Sequence, residues 1–142
     1  MTAGFELHSR LAGDCIRVGR LPLSMLLLMN DARYPWFILV PQRNAISEVF
    51  QLPESDQVQL CRESAQLSRN LMQSFHADKI NIGALGNLVP QLHIHHIARF
   101  RSDPAWPAPV WGHSEPLRYE KPGISERIGM ACDWFGDQLE VF

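Results

Sequence analysis

The chain has 142 residues, 46% apolar and 20% charged, enough for one domain spanning 1–142 with a hydrophobic core. With 13 Lys+Arg against 15 Asp+Glu the net charge is -2, which excludes the basic field of a nucleic-acid binder. No run of like charge points to a membrane surface or an acidic tail, while a local phosphate site remains compatible with this balance.

Taken from the start, "MTAGFELHSR" lacks the basic start and apolar core of a secretory signal. "FELHSRLAG" reads as a short helix ending at Gly13. "CIRVGRL" alternates from Cys15 to Leu21 and reads as a first strand, broken by Pro22. "LSMLLLMN" is a second, buried strand; its apolar core "MLLLM" is far too short to span a bilayer. "DARY", 31–34, is a turn before Pro35, and "PWFILVP" is a third strand closed by Pro41. Short connections predict an antiparallel meander.

The period then changes. Val58, Cys61, Ala65, Met72 and Phe75 fall on one helical stripe, with Leu60, Leu67 and Leu71 beside it, and Ser55 or Asp56 can cap the helix. "KINIGALGN" gives a fourth strand running into a glycine-containing loop, and "PQLHIHHIARF" gives a fifth. Residues 101–123 hold five of the ten prolines and read as irregular, with a final amphipathic stretch helical near its start. Cys15, Cys61 and Cys132 are scattered without a C-x-x-C. They suit buried thiols in a reducing cytoplasm better than a disulfide framework or a zinc site. The expectation is a cytoplasmic protein with no membrane or nucleic-acid partner.

Three of the six histidines sit within four positions, at His93, His95 and His96. Side chains alternate along a strand, so Gln91, His93 and His95 share one face, about 7 Å apart in succession. Leu92, Ile94 and His96 share the other, where Leu92 and Ile94 are core anchors and His96 a hydrogen-bonded core or interface histidine. Neutral histidine is a nucleophile and protonated histidine stabilises anionic oxygen, so a pair on one face can divide the two tasks. As i, i+2 ligands the same pair would also suit zinc, but no third partner stands at a familiar spacing.

The run Gln91-Leu92-His93-Ile94-His95-His96-Ile97 resembles the histidine triad (HIT) motif, His-φ-His-φ-His-φ-φ with φ apolar. Gln91 replaces the first histidine and His96 the first φ after the third. "MND" at 29–31, "FILVPQR" at 37–43, "NIGALGN" at 81–87 and "WP" at 106–107 follow in the family's order, so the resemblance covers roughly residues 14–112. It implies an α+β, HIT-like fold: a five-stranded antiparallel sheet covered by a long helix, with short terminal helices, as a homodimer. It implies hydrolysis or transfer at the α-phosphate of a nucleotide conjugate, such as a dinucleoside polyphosphate, a nucleoside phosphoramidate or an adenylate. His93 would attack phosphorus and form a nucleotidyl-histidine, and His95 would contact the phosphoryl oxygens. The main-chain carbonyl of Gln91 would orient His93. Asn30 or Asp31 would meet ribose hydroxyls, and Asn81 and Asn87 would lie near the phosphates or leaving group. No cofactor and no metal is implied. Leu88 stands where several relatives carry a hydroxyl that assists the leaving group, which weakens any claim to phosphoramidate specialisation. The alternatives are a non-catalytic nucleotide-binding dimer and a histidine-metal protein. Trp106 and Trp111 would close over a site, pack at an interface or simply be buried, and Arg99 and Arg101 would attract phosphate or lie solvated.

Overall fold

The computed structural model describes residues 4–142; Met1, Thr2 and Ala3 of the N-terminal stretch lie outside the described residues. Helix α1 (Ser9–Asp14) precedes a meander of β1 (Cys15–Arg20), β2 (Ser24–Met29) and β3 (Trp36–Pro41). The long helix α2 (Glu54–Phe75), β4 (Lys79–Gly83) and β5 (Ile94–Arg99) follow, then α3 (Lys121–Phe135) and β6 (Glu140–Val141). The strands form one antiparallel sheet in the order β4-β5-β3-β2-β1-β6.

The α+β architecture agrees with the sequence reading, but the sheet has six strands rather than five. The extra strand is two residues long and pairs with Gly19 and Arg20 of β1. Gly19 makes that pairing possible, because a Cβ there would meet the Glu140 carbonyl oxygen at 2.5 Å. Helix α1 starts at Ser9, not Phe5, because His8 caps it through Nδ1, which accepts from the Arg10 N–H at 3.1 Å. Gly13 lies inside the helix, and Cys15 rather than Gly13 takes the C-cap. Helix α2 begins one residue before the expected cap, with Pro53 as N-cap and Ser55 and Asp56 inside the first turn. Its buried face is Leu60, Glu63, Leu67 and Leu71, while Val58, Cys61, Ala65 and Met72 are exposed. The expected stripe was thus rotated. Glu63 explains why: its buried carboxylate accepts the Leu23 and Ser24 N–H groups, capping the start of β2 from a position a hydropathy count treats as outside.

Both sheet faces are covered, which is why β2 and β3 read as unbroken apolar runs. On one face Leu26, Leu28, Phe37, Leu39, Ile94 and Ala98 pack against α2 and α3. On the other Leu27, Trp36, Ile38 and Ile97 pack against Leu11 of α1 and against the proline-rich segment through Ala105 and Val110.

That segment is irregular as expected, but it is not loose. Arg99 is 1% exposed, which corrects its reading as a surface or phosphate-attracting arginine. Its guanidinium forks onto Asp103 (2.8 and 3.0 Å) and donates to Asn81 Oδ1 and the Ala108 carbonyl, both at 2.8 Å. Burial by itself would raise the Asp103 carboxyl. The Arg99 bonds and the Phe100 and Trp106 N–H groups outweigh it and hold the group at about 2. The clamp fixes the loop that carries Val110 and Trp111 over the sheet. Trp106 rests against it, 5.6 Å from the guanidinium carbon.

Candidate active site

Strand β5 is shorter than the sequence suggests. Pairing with β3 ends at Leu39 opposite Ile94, and the Leu92 N–H instead donates to the Ile46 carbonyl. Alternation nevertheless persists through the extended lead-in. Leu92, Ile94 and Ala98 reach the α2 face, while His93, His95, Ile97 and Arg99 face the other side. His96 lies on the α2 face as expected. It is fully buried, with Nδ1–H donating to the Ile94 carbonyl at 3.0 Å, so Nε2 accepts from Ser64 Oγ–H at 2.7 Å. Burial pushes its imidazole down to about 4.

His93 and His95 line a cleft of about 620 Å³. His93 Nδ1–H donates to the Gln91 main-chain carbonyl at 2.7 Å, which leaves Nε2 as the unprotonated nitrogen of the neutral ring. The His95 ring stands 5.0 Å from that of His93, centroid to centroid. His95 Nδ1 accepts the Trp36 indole N–H at 3.0 Å. Burial, then the neighbouring His93 and His96 imidazoles, push His95 down to about 3. It is therefore neutral near pH 7, which corrects the expectation of a cationic partner. Among the described residues neither Nε2 has a hydrogen-bond partner, and neither is sealed from solvent. Trp111 closes one side, 5.4 Å from His95. Its ring lies so close to Gly83 that a Cβ there would meet Cη2 at 3.0 Å.

Of the residues singled out in the sequence, Asn30, Asp31 and Asn87 also border the cleft. Asn30 Oδ1 accepts from the Tyr119 N–H at 2.8 Å. The Asp31 carboxylate is held by Arg33, with Nε on Oδ1 at 2.9 Å and Nη2 on Oδ2 at 2.8 Å. Burial opposes its ionisation, but the Arg33 bonds and the Leu117 N–H keep its carboxyl below the ordinary value. Oδ2 takes only the Arg33 bond among the described residues, so it retains an acceptor position. Asn81 does not border the cleft, since its side chain serves the Arg99 clamp. The Gln91 side chain also turns away. It ties down the N-terminal segment, accepting from the His8 N–H (2.8 Å) and donating to the Glu6 carbonyl (2.9 Å).

Trp36 and the cleft arginines Arg10, Arg33 and Arg118 were not singled out in the sequence. Trp36 read only as a strand residue; its role depends on the β3–β5 register, which one sequence does not print. Leu88, 74% exposed on the rim, supplies no hydroxyl. Among the described residues no group of three or more His, Cys, Asp or Glu could hold a metal, and no helix is long and apolar enough to cross a membrane.

A paired-imidazole cleft on one face of an antiparallel sheet, with a long helix on the other, defines a protein of the histidine triad type. The family model described as HIT domain matches residues 11–102, and the chain belongs to that family. The structure is similar to that of a histidine triad protein from Bradyrhizobium japonicum, with 48% identity and a TM-score of 0.87. That match covers 89% of this chain and 94% of the other. Histidine triad proteins from Sinorhizobium meliloti and Marinobacter aquaeolei are each 44% identical, with TM-scores of 0.91 and 0.92. Each match covers 94% of this chain and 98% of the other. None of the curated proteins matches the chain. The fold is that family's nucleotide-binding fold, and many of its members are hydrolases or transferases.

Proposed function

We propose that the protein hydrolyses or transfers at the α-phosphate of a nucleotide conjugate, with His93 as nucleophile. The observation that carries this reading is the 2.7 Å bond from His93 Nδ1–H to the Gln91 carbonyl, because it leaves Nε2 unprotonated in an open cleft. Nε2 attacks the α-phosphorus while the bond to the leaving group breaks, and that group departs with the electron pair and takes up a proton. Water then attacks phosphorus, the P–N bond returns its pair to Nε2, and a nucleoside monophosphate is released. His95 Nε2–H donates to the phosphoryl oxygens as negative charge builds there. Gln91 is compatible with this chemistry because the first motif residue contributes its main-chain carbonyl, which any side chain leaves in place.

Asn30, Asp31 and Asn87 are proposed to contact the nucleotide. We place the protein in the cytoplasm as a homodimer. The exposed edge strand β4, with Ile82 53% exposed and Leu85 and Leu88 beside it, is suited to pairing with a second copy. Sedimentation at micromolar concentration giving only a 16.2 kDa species would count against the dimer. The activity is tested by turnover of diadenosine tetraphosphate, adenosine phosphoramidate and an aminoacyl-adenylate analogue, repeated with His93→Ala. Hydrolysis of at least one compound, lost in the variant, is expected. Binding without turnover by the native protein would instead favour a non-catalytic nucleotide binder.

A further inference from the structure

We propose that Trp36 is a positioning residue that fixes His95 as an uncharged donor, protonated only at Nε2. The inference rests on the functional reading above and extends it to a residue that the sequence motif does not include.

An indole N–H can only donate. At 3.0 Å it occupies the lone pair of His95 Nδ1, so the single proton of the neutral ring must sit on Nε2. His93 is set the other way, because a carbonyl can only accept and so takes the proton of Nδ1. Two adjacent imidazoles thus carry opposite tautomers, each imposed by a fixed protein group. Both leave Nε2 for the cleft, one as a lone pair and one as an N–H.

The sheet register builds this arrangement. His95 on β5 pairs with Ile38 on β3, and Trp36 lies two residues along on the same face, the diagonal distance that a long aromatic can bridge. Trp36 is 6% exposed and stacks edge-on between Tyr34 (6.2 Å) and Trp111 (6.4 Å). To accept a second proton, His95 would have to displace that ring, since two N–H groups would otherwise face each other. The titratable groups around it are His93 and His96 on β5, Asp31 and Arg33 after β2, Arg10 and Asp14 of α1, and Glu115 and Arg118. Asp31, a buried acid that lines the cleft, is already paired with Arg33. The low proton affinity of His95 agrees with the geometry.

The test is long-range proton–nitrogen correlation on protein carrying nitrogen-labelled histidine, from about pH 8 to about pH 5, with and without AMP. His95 is expected to hold the Nε2–H tautomer throughout, with AMP moving only the Nε2 proton. In its neutral form His93 is expected to show the opposite tautomer. A doubly protonated or Nδ1–H His95, free or with AMP, overturns the proposal. Trp36→Phe keeps the packing and removes the N–H. It should convert His95 to a tautomer mixture and lower kcat about tenfold, the loss of one hydrogen bond, while KM moves by less than about threefold. An unchanged tautomer in that variant also overturns the proposal. If the native protein turns nothing over yet His95 meets AMP as a neutral Nε2–H donor, the hydrolase reading fails and the Trp36 assignment stands.

Discussion

His96 makes stability depend on pH in a window where carboxylates contribute little. Its folded-state imidazole sits at about 4 against an ordinary 6.5, because burial disfavours the cation. The unfolded chain therefore takes the proton first. The stabilisation is complete above about pH 6.5 and is lost as pH falls toward 4. At pH 5 linkage gives about 2 kcal/mol lost through His96 alone. His95, pushed down to about 3, adds a similar amount. His96→Gln isolates the first share. Its amide N–H can replace the bond to the Ile94 carbonyl and its oxygen can accept from Ser64, but it does not titrate. Urea unfolding at about pH 7.5 and about pH 5 should show the native protein losing about 2 kcal/mol more than the variant, with equal m-values. Parallel losses in the two proteins would refute the reasoning, because the other titrating groups are common to both.

Arg99→Met leaves Asp103, 3% exposed, as an uncompensated buried charge. It should cost roughly 3 to 5 kcal/mol in urea unfolding, and Asp103→Asn added to it should recover part of that loss. Gln91→Ala removes two bonds to the N-terminal segment but not the carbonyl that orients His93. Proteolysis near residues 6–8 should quicken while kcat stays within about threefold of native. His95→Ala removes the phosphoryl donor but not the attacking nitrogen. It should slow turnover by about 10² to 10³ and still form the covalent intermediate in rapid-quench kinetics.

The meander was legible because Pro22, Pro35 and Pro41 punctuate three short apolar strands. The His93/His95 pairing and the core position of His96 were legible because strand alternation needs no partner to be known. What the sequence hid were properties of assembly. Strand β6 is two residues long and depends on Gly19 meeting a backbone that is distant in the chain. Helix α3 starts at Lys121, inside a stretch that read as irregular, because Pro122 is tolerated in a first turn where its missing N–H costs nothing. Arg99 looked solvated because nothing local announces that Asp103 and Asn81 close around it. Trp36 looked like one more strand residue because only the β3–β5 register brings its N–H to His95.

The most direct test of the central claim is covalent labelling. The native protein is mixed with a turned-over conjugate radiolabelled at the α-phosphorus, quenched in alkali to preserve a P–N bond, and resolved under denaturing conditions. Label is predicted on the native protein and on His95→Ala, and none on His93→Ala. Label that persists on His93→Ala, or that vanishes only when His95 is replaced, would contradict the assignment of His93 as nucleophile.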